Sequence, residues 1–335
     1  MYGAAAAWRR QWYAADASRR RRLARPVISV GNLRVGGSGK TPLAACIAQM
    51  LLEDGERPAI LTRGYARRRA GDGVTVVSDA TALRADVHEA GDEPFMLARA
   101  LPGVPVLVSP DRYLAGTLAE RRLGATVHIL DDGFQHLQLD RDVDLLLVSE
   151  EDLDERPFPA GRLREGLQAA AAADAALVTA GYDAAAERIG RALRISTVFR
   201  VTRTIGAPRR ITGDHDSVVV PTDSRVFVVS GIARPQRFAA DLSSAGWTVA
   251  GTMAFGDHHR FTPRDLRRIA LGARAASSEI ILTTEKDAVR LAVCDLGDLP
   301  IASVPLVVGI EPREQFRSWL MARLSRARGG DETSD

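Results

Sequence analysis

A glycine-rich run that ends in lysine and threonine is the segment whose chemistry is easiest to name. Residues 31–42 read Gly-Asn-Leu-Arg-Val-Gly-Gly-Ser-Gly-Lys-Thr-Pro and follow an apolar stretch at 27–30. In such a loop the backbone N–H groups surround phosphate oxygens, the lysine reaches the β- and γ-phosphates, and the threonine hydroxyl binds Mg²⁺. We therefore predict a nucleoside-triphosphate and Mg²⁺ site formed by Gly36, Gly37, Ser38, Gly39, Lys40 and Thr41.

Two features of this loop are unusual. Lys40 is one of only two lysines in a chain with 45 basic residues, which indicates a position where a compact ammonium is needed rather than a guanidinium. Position 34, where the motif usually has its first glycine, is an arginine, and the nearest glycine upstream is Gly31. The offset indicates a divergent subgroup of phosphate-loop proteins.

Two carboxylates end another apolar run, at 127–133, which reads Val-His-Ile-Leu-Asp-Asp-Gly. Asp and Gly are common in turns, so the run alone is a weak signal. Beside a phosphate loop, however, a strand that ends in aspartate is where a Mg²⁺-organising carboxylate belongs. We predict a metal or nucleotide role for Asp131 and Asp132, with the choice between them open. His136, which follows, is either a site residue or a structural hydrogen-bond donor.

Two other segments contain candidates for proton transfer. Gly91-Asp92-Glu93-Pro94 precedes a predicted helix at 95–101; the residues alone favour ordinary helix capping there, and a general base at Asp92 is the alternative. Residues 255–261 read Phe-Gly-Asp-His-His-Arg-Phe. Adjacent histidines point apart on regular structure, which disfavours a two-histidine metal site. A histidine oriented by a carboxylate partner is the prediction, with a solvated loop as the alternative.

Basic residues follow several of the predicted strands. Thr-Arg-Gly-Tyr-Ala-Arg-Arg-Arg at 62–69 comes after a strand at 58–62, and further arginines follow at 112, 162 and 164. Guanidinium groups at strand ends bind phosphate in bidentate pairs, although a solvated charged loop has the same composition. The second lysine, Lys286, also follows a predicted strand, and the residues assign no reaction to it.

Bulk composition excludes several classes of protein. The net charge of the 335 residues is only +3, the apolar fraction is 46%, and the two cysteines form no CxxC pair; a reduced compartment fits, and a nucleic-acid-binding protein is not indicated. The sequence contains no run of about 18 apolar residues, the length needed to span a bilayer as a helix.

The first 25 residues contain seven arginines, and Trp8 and Trp12 share a helical face. We predict a basic amphipathic helix over 1–25 that lies at a membrane interface.

Short apolar runs alternate with helical stretches along most of the chain. This pattern predicts an α/β protein whose P-loop NTPase-like core has a mostly parallel sheet covered by helices. We assign the core to 26–200, a linker to 201–224, a smaller C-terminal α/β domain to 225–328, and a disordered tail to 329–335. The strands predicted for the two domains lie at 27–30, 58–62, 74–78, 104–109, 126–130, 143–148 and 175–179, and at 225–230, 247–253, 279–283 and 301–308; a last helix is predicted at 312–326.

Taken together, these motifs resemble the tetraacyldisaccharide 4′-kinase family, the lipid A kinases. The resemblance rests on six segments that occur in family order over about residues 27–290, namely 29–42, 63–65, 91–94, 131–136, 257–259 and 284–287. The offset of the first glycine, which leaves Arg34 at the usual glycine position, is also typical of that family. Two departures are an N-terminal stretch that is shorter and richer in alanine, and Ala66 where the family commonly has glycine.

The resemblance implies ATP- and Mg²⁺-dependent transfer of the γ-phosphoryl group to the 4′-hydroxyl of a tetraacylated glucosamine disaccharide 1-phosphate, which gives lipid IVA. By this similarity Asp92 would be the base, assisted by His258, and Asp257 or Asp92 would orient that histidine. Lys40 and Thr41 would hold phosphate and metal, with Asp131 or Asp132 completing these contacts. Of the two, Asp131 would bind the metal and Asp132 the nucleotide. Substrate contacts would come from Arg63, Tyr65, Arg112, Arg164, Glu165 and His136.

The resemblance also implies where the protein works. A lipid substrate, with a peripheral contact through the N-terminal segment, places it on the cytoplasmic face of the inner membrane of a Gram-negative-type cell. No nucleic acid and no protein partner is implied.

Other functions remain open from the residues themselves. Another phosphate-loop enzyme, such as a small-molecule kinase or a GTPase-type metal chaperone, is one; the chain has no Asn-Lys-x-Asp guanine signature, which argues against GTP. A nucleotide-gated binding protein without transfer activity is a second. A basic nucleic-acid-binding module is a third, and it lacks interleaved aromatic and basic residues outside the N-terminus.

Overall fold

The structure is a computed structural model, and it describes residues 2–36, 39–64, 67, 73–179, 183–211 and 219–329. The chain divides into two compact units. The first comprises Met1–Thr202 and Val308–Asp335, and the second comprises Arg203–Val307. The chain passes from the first unit to the second within one strand and returns within another.

A nine-stranded sheet forms the centre of the first unit, in the order β14-β8-β7-β6-β1-β5-β2-β4-β3. All neighbours from β8 to β4 pair in parallel, and β3 is antiparallel to β4 at the edge. The strands are β1 (Val27–Gly31), β2 (Pro58–Thr62), β3 (Thr75–Ser78), β4 (Val106–Val108), β5 (Val127–Asp131), β6 (Val143–Ser149), β7 (Ala175–Thr179), β8 (Val198–Ile205) and β14 (Leu306–Glu311).

Every residue of β1, β2 and β5 is buried. Helices cover both faces of a parallel sheet, so side chains on both faces are buried. These strands are therefore apolar along most of their length and do not alternate between apolar and polar residues. The helices of this unit are α1 (Tyr2–Ala14), α2 (Lys40–Glu53), α3 (Val87–Ala90), α4 (Asp92–Ala100), α5 (Arg112–Leu123), α6 (Asp183–Leu193) and α10 (Arg313–Gly329). None of the helices in the described part of the chain is long and apolar enough to cross a bilayer.

The second unit has its own five-stranded sheet, in the order β11-β10-β12-β13-β9. Its four longer strands are parallel, and the short β9 is antiparallel to β13. Phe227, Val229 and Ile281 form part of the core on one face, and Val228 and Leu282 form part of it on the other. The elements are β9 (Arg209–Arg210), β10 (Arg225–Ser230), α7 (Pro235–Ser244), β11 (Thr248–Ala254), α8 (Pro263–Ala275), β12 (Ile280–Thr284), α9 (Glu285–Leu291) and β13 (Ile301–Val304).

The α/β architecture with a mostly parallel sheet is confirmed, but one predicted strand is wrong. The run at 301–308 forms two strands, β13 and β14, which belong to different sheets. Pro305 separates them; it has no N–H to donate to a ladder, and its carbonyl accepts a hydrogen bond from the Gly206 N–H at 2.9 Å instead. A mostly apolar run that was predicted as one strand therefore contains a change of sheet at Pro305.

The structure also differs from the predicted boundaries at the C-terminus. The predicted smaller domain, 225–328, included the last helix, whereas α10 belongs to the first unit. The Phe316 ring packs edge-on against Phe199 of β8, with 5.1 Å between centroids. Arg317 Nε donates to Asp54 Oδ1 at 2.8 Å, and Arg328 pairs with Glu56 at 2.8 Å. Gly329 ends this helix, and the rest of the predicted tail, 330–335, lies outside the described residues.

The N-terminal helix is shorter than the predicted 1–25. It ends at Ala14, and Asp16 accepts a hydrogen bond from the Ser18 N–H to begin a short 3₁₀ turn. Leu23 is buried in the core of the first unit, and the chain then enters β1. The predicted linker, 201–224, is also partly strand, because β8 extends to Ile205 and β9 pairs with β13.

Gly31, at the end of β1, allows the chain after β5 to approach closely. A Cβ atom at position 31 would lie 2.4 Å from the Phe134 Cβ and 2.7 Å from its backbone nitrogen. Phe134 is fully buried, so neither group can move aside without displacing the core.

Replacing Gly31 with Ala should therefore destabilise the protein. We expect a loss of roughly 1–3 kcal/mol in the free energy of unfolding, because the methyl group meets backbone as well as side chain. Urea unfolding measures this loss. Gly329→Ala is the control, since a Cβ there meets nothing within 4 Å; equal stabilities for the two variants would contradict the proposed close contact.

Candidate active site

The predicted phosphate loop and the predicted acidic pair meet at one edge of the large sheet. Strands β1 and β5 are parallel neighbours, with Val30 paired to Asp131, so their carboxyl ends lie side by side. Thr41 Oγ1, in the first turn of α2, donates to Asp131 Oδ2 at 3.1 Å. Lys40 Nζ lies 3.3 Å from Asp132 Oδ1. Ligands bind at this end of the strands in open α/β sheets.

Two glycines of the segment between β1 and α2 have backbone angles of the kind used in phosphate-binding loops. Gly36 and Gly39 have φ angles of 104° and 92°, in the region that glycine adopts without a Cβ penalty. Gly37 and Ser38, also predicted to bind phosphate, lie outside the described residues. Lys40 begins α2, so the N-terminus of this 14-residue helix follows the loop directly.

Arg34, at the position where a glycine is usual, fixes the first half of the loop. Its Nη1 lies 3.0 Å from Glu151 Oε2 and 3.4 Å from Asp152 Oδ1, and its Nη2 lies 3.8 Å from Glu155 Oε2. Its backbone forms an antiparallel bridge with Leu163. The arginine is therefore a structural anchor, which explains why this loop tolerates the loss of the glycine.

Asn32 is a residue of this site to which the sequence assigned no role. Lys40 Nζ donates to its Oδ1 at 2.9 Å, and its backbone carbonyl accepts from Gln135 Nε2 at 3.0 Å. Asn32 is 1% exposed. The available signal was its place directly after Gly31, at the end of a strand that leads into the loop.

Asp132 is held as a carboxylate by two cations. Arg164 Nη1 lies 2.8 Å from both of its oxygens, and Lys40 is on the other side. Burial raises the pKa of Asp132, but the charges of Lys40 and Arg164 outweigh this effect and lower it. Its φ angle is 59°, a strained conformation for a residue with a Cβ, and such strain is common at functional sites.

Asp131 has the opposite environment. Burial, together with the negative charges of Glu93 and Asp132, raises its pKa to about 7. Its Oδ1 is buried and has no hydrogen-bond partner in the structure as described. A divalent cation at this oxygen would supply the missing positive charge, so the donor set of Asp131 and Thr41 fits Mg²⁺.

No cluster of three or more Asp, Glu, His or Cys suited to a metal occurs within the described ranges. This is compatible with Mg²⁺, which is commonly bound by one or two carboxylates together with substrate phosphates and water.

Three predicted substrate contacts lie near the carboxylates. Arg63 follows β2, and Arg112 is the first residue of α5, after β4. Arg112 is 5% exposed; burial and the nearby charge of Arg63 lower its pKa to about 10, and Asp132 and Asp131 oppose this effect. Burial and the charges of Arg112 and Arg141 lower the pKa of His136 to about 3, so this ring is neutral.

Two buried nitrogens in this group point to a ligand. Over the ranges that the structure describes, neither Arg112 Nε nor His136 Nε2 has a hydrogen-bond partner. Buried polar atoms are rarely left unsatisfied, so an anionic or hydroxyl-bearing molecule is the expected partner. Tyr65, predicted to act beside Arg63, lies outside the described residues.

Glu165, a further predicted substrate contact, has a partner within the chain. Arg10 of α1 donates to it from Nε and Nη2, both at 2.8 Å, and the arginine also stacks on the Phe134 ring at 4.4 Å. Glu165 is 4% exposed. Arg10 is thus a second residue that sequence reasoning missed, because its partner is 155 positions away.

The structure separates Asp92 from the capping role that its sequence context favoured. Asp86 caps α3, with Glu89 completing a capping box. Gly91 occupies the N-cap of α4 and has no side chain, while Asp92 is the first helical residue. Because the charge of the next residue, Glu93, acts on Asp131, the first turn of α4 faces the acidic pair.

The other predicted catalytic residues lie in the second unit. The Asp257 Oδ1 accepts from the His258 backbone N–H at 3.0 Å, and His258 has a φ of 59°. The Asp257 Oδ1 is 4.0 Å from His258 Nε2, beyond hydrogen-bond distance. Lys286 Nζ is closer to that ring nitrogen, at 3.2 Å. In this geometry Asp257 is therefore too far from Nε2 to orient the His258 ring by a hydrogen bond to that atom.

The adjacent histidine has a separate, structural environment. His259 Nε2 lies 3.1 Å from Asp265 Oδ2, and its ring stacks on Phe255 with 4.5 Å between centroids. The two neighbouring histidines thus have different partners.

The raised pKa of Asp131 makes a pH-dependent prediction for the protein without nucleotide or divalent cation. The folded-state pKa of about 7 is above the reference value of 3.8. The contribution of protonated Asp131 to the free energy of unfolding is therefore fully present below about pH 4 and is lost as the pH rises through 7. At pH 8 Asp131→Asn should be more stable than the unmodified protein and should melt at a higher temperature. The difference in the free energy of unfolding should be of the order of 4 kcal/mol at most.

Calorimetry from pH 5 to 9 measures this difference, which should shrink as the pH falls. Mg²⁺ with ATP should stabilise the unmodified protein more than the variant, because only the carboxylate binds the cation well. A stability difference that does not vary with pH would show that Asp131 is not a destabilised carboxylate.

Comparison with known proteins identifies the family of this chain. A model of the tetraacyldisaccharide-1-P 4′-kinase family matches residues 1–325. The tetraacyldisaccharide 4′-kinase of Desulfotalea psychrophila is 40% identical over 275 residues, which cover 79% of this chain and 78% of that protein. The enzyme of the same name from Syntrophus aciditrophicus is 35% identical over 328 residues, covering 92% and 86%.

A solved structure extends the similarity to three dimensions. The crystal structure described as the "apo" form of LpxK from Aquifex aeolicus in complex with ATP superposes with a TM-score of 0.77 at 32% identity, and covers 96% of each chain. The resemblance inferred from six short motifs is thereby confirmed. This chain is a kinase with a P-loop α/β fold, and it belongs to the tetraacyldisaccharide-1-P 4′-kinase family.

Proposed function

We propose that the protein transfers the γ-phosphoryl group of ATP to the 4′-hydroxyl of a tetraacyldisaccharide 1-phosphate and so forms lipid IVA. The bond between the 4′-oxygen and the γ-phosphorus forms, the bond from that phosphorus to the β–γ bridging oxygen breaks, and ADP leaves. The observation that carries the proposal is the pair of contacts Lys40–Asp132 and Thr41–Asp131 at the ends of β1 and β5. Family membership supplies the acceptor.

Phosphate binding is assigned to the loop and to the residues around it. Lys40 exchanges part of its contact with Asn32 and Asp132 for the β- and γ-phosphates, and the backbone at Gly36 and Gly39 surrounds them. Asp132, kept ionised by Arg164, holds Lys40 in place while no nucleotide is bound. Gly37 and Ser38 are proposed to complete the cradle.

Mg²⁺ is proposed to bind at Thr41 and Asp131. When bound, the ion neutralises charge that develops on the transferring phosphoryl group. Two properties of Asp131 fit this role. Its Oδ1 is buried and has no hydrogen-bond partner among the described residues, and its carboxyl group must lose its proton before the ion binds. Affinity for Mg²⁺ should therefore weaken below about pH 7.

Proton removal from the 4′-hydroxyl is assigned to Asp92, with His258 assisting and Asp257 supporting His258. Asp92 is supported by its place at the start of α4, where Gly91 rather than an aspartate forms the N-cap. His258 is supported by its strained backbone and by its contacts in the second unit. Phosphoryl transfer depends mainly on positioning and charge, so the base adds a factor rather than the whole rate.

The acceptor is proposed to bind through the cationic group at the strand ends. Arg63, Arg112 and Arg164 supply positive charge for an acceptor that carries a phosphate, and His136 supplies a neutral ring nitrogen without a partner. Tyr65 and Glu165 stay in this proposal from the family similarity. Glu165 is expected to act indirectly, because both of its oxygens already accept from Arg10.

Peripheral contact with the cytoplasmic face of the inner membrane is proposed for α1. Trp8 and Trp12 are 66% and 41% exposed, and aromatic rings of this kind bind at the lipid interface. The arginines at 19–22 each already contact a carboxylate of the chain, at Asp16, Asp140, Asp111 or Asp142. We therefore assign more of the membrane contact to the tryptophans than the arginine-rich sequence suggested.

The experiment that tests the function is transfer of radiolabelled γ-phosphate to the disaccharide 1-phosphate in detergent micelles. Labelled lipid should appear with the unmodified protein, and Lys40→Ala should abolish it. Product no greater than in the Lys40→Ala control would remove the kinase assignment. The alternative, a nucleotide-gated binding protein, predicts that Asp92→Ala keeps its function whereas Lys40→Ala loses it.

The role of Asp92 is tested by Asp92→Asn, which keeps the shape and removes the basic oxygen. We expect turnover to fall by roughly 10²–10⁴-fold while ATP binding persists. Asp86→Asn is the matched control, because that carboxylate caps α3 and asparagine caps as well. Equal turnover in the two variants would return Asp92 to a structural role.

The membrane proposal predicts that Trp8→Ala with Trp12→Ala reduces co-sedimentation with phospholipid vesicles. Leu271→Ala is the control, since Leu271 is an exposed apolar residue of α8, at 65%. The reduction should be similar with neutral and with anionic vesicles, because the neighbouring arginines are paired within the chain. Unchanged sedimentation of the double variant would exclude α1 as the contact.

A further inference from the structure

Lys286 lies where three strands of the second sheet end, and it has no role in the proposed function. Strand β10 leads to Gly231, β11 leads to the loop that holds Asp257 and His258, and β12 leads to Thr284 at the start of α9. Lys286 Nζ is 3.2 Å from His258 Nε2 and 3.5 Å from Asp257 Oδ1. Because β11, β10 and β12 are parallel neighbours, their carboxyl ends bring these groups together.

The direction of the Lys286–His258 hydrogen bond has a chemical consequence. An ammonium has three donors and no acceptor, so His258 Nε2 must be the acceptor and must be unprotonated. A neutral ring with an unprotonated Nε2 has its proton on Nδ1. Asp257 Oδ1 is 4.0 Å from Nε2, too far to accept a hydrogen bond from it, and it accepts from Lys286 and from the His258 backbone N–H instead.

The position of Lys286 is fixed by the first turn of α9. Thr284 caps this helix by accepting from the Asp287 N–H at 3.1 Å. The Asp287 Oδ2 accepts from Thr284 Oγ1 at 2.7 Å and from the Gly231 N–H at 3.0 Å. Lys286 is therefore held between the Gly231 turn and the histidine loop.

Arg290 joins the Gly231 turn, the histidine loop and α9. It donates to the carbonyl oxygens of His259 and Gly231, at 3.0 and 3.2 Å, and pairs with Asp287 at 3.0 Å. His259, the adjacent histidine, pairs with Asp265 instead, at 3.1 Å. Lys286 and Asp257 are two charged groups of the second unit that lie near the His258 ring, at 3.2 and 4.0 Å from Nε2.

We infer that Lys286 is a positioning residue, whose ammonium holds His258 as the neutral tautomer with its proton on Nδ1. In this tautomer Nδ1–H is a hydrogen-bond donor with a fixed direction. A donor of that kind orients a carboxylate base and keeps it ionised, which is the assisting role given to His258. The catalytic part of this inference rests on the proposed function; the tautomer does not.

The tautomer is tested directly by long-range ¹H–¹⁵N NMR of the full-length protein labelled on histidine. The His258 signals are assigned by their loss in His258→Asn. In the unmodified protein we expect Nδ1 protonated and Nε2 free. In Lys286→Met, which keeps the length and removes the charge, Nε2 loses its donor, so the preference for this tautomer should be lost and part of the protein should carry the proton on Nε2. His259 is the internal control and should not change.

The catalytic part is tested by steady-state kinetics on the same variants. Lys286→Met should lower kcat by roughly 10–100-fold, as is typical when a supporting hydrogen bond to a functional histidine is lost, with the KM values for ATP and lipid unchanged. Lys286→Arg keeps the charge and a donor, so it should keep the original tautomer, and its kcat should exceed that of Lys286→Met even where the larger guanidinium fits the site less well than the ammonium. A merely structural role for Lys286 would change stability or KM and leave the tautomer as it was.

Each outcome decides one question. An unmodified protein with the His258 proton on Nε2 would overturn the inference, even if Lys286→Met failed to fold. An unchanged tautomer and kcat in Lys286→Met would overturn it as well. A protein with the expected tautomer but no transfer to the lipid would leave the Lys286–His258 contact established and would reject the proposed function instead.

Discussion

The chemistry of the first unit depends on the parallel pairing of β1 with β5 in one register. With Val30 opposite Asp131, the phosphate loop and the acidic pair leave the sheet at the same edge and within hydrogen-bond distance. A shift of one residue would turn every side chain of β5 to the opposite face, and the Thr41–Asp131 contact would be lost. Gly31 is part of this constraint, because only a residue without a Cβ lets Phe134 approach β1 so closely.

Two adjacent carboxylates acquire opposite properties from this arrangement. Asp132 lies between Lys40 and Arg164 and is held ionised, whereas Asp131 is buried, lies near Glu93, and has one oxygen without a partner. The first is suited to positioning a lysine, and the second is suited to a cation that arrives with the nucleotide. Burial and neighbouring charge, rather than residue type, separate the two roles.

The arginines of this chain contribute more to structure than their number suggested. Arg34 contacts three carboxylates and anchors the phosphate loop, and Arg10 joins α1 to Glu165 and Phe134. The arginines at 19–22 contact carboxylates of the same chain. Only two lysines occur, and both lie at strand ends against a carboxylate and a polar side chain, Asn32 or His258. The compact ammonium is used where a short donor must fit into a crowded site.

The sequence alone determined the parts of this protein that depend on local chemistry. A run of glycines before Lys40 and Thr41 predicts a loop that binds phosphate through its backbone, and apolar runs indicate strands that are covered on both faces, so the fold class and the family could be predicted. Partners distant in the chain were decided by the tertiary structure alone. The Arg10–Glu165 pair, the Asn32–Lys40 contact, the position of α10 and the change of sheet at Pro305 all depend on which strands become neighbours. Lys286 is the clearest case: its residue type was visible in the sequence, but its function follows from three strand ends that only folding brings together.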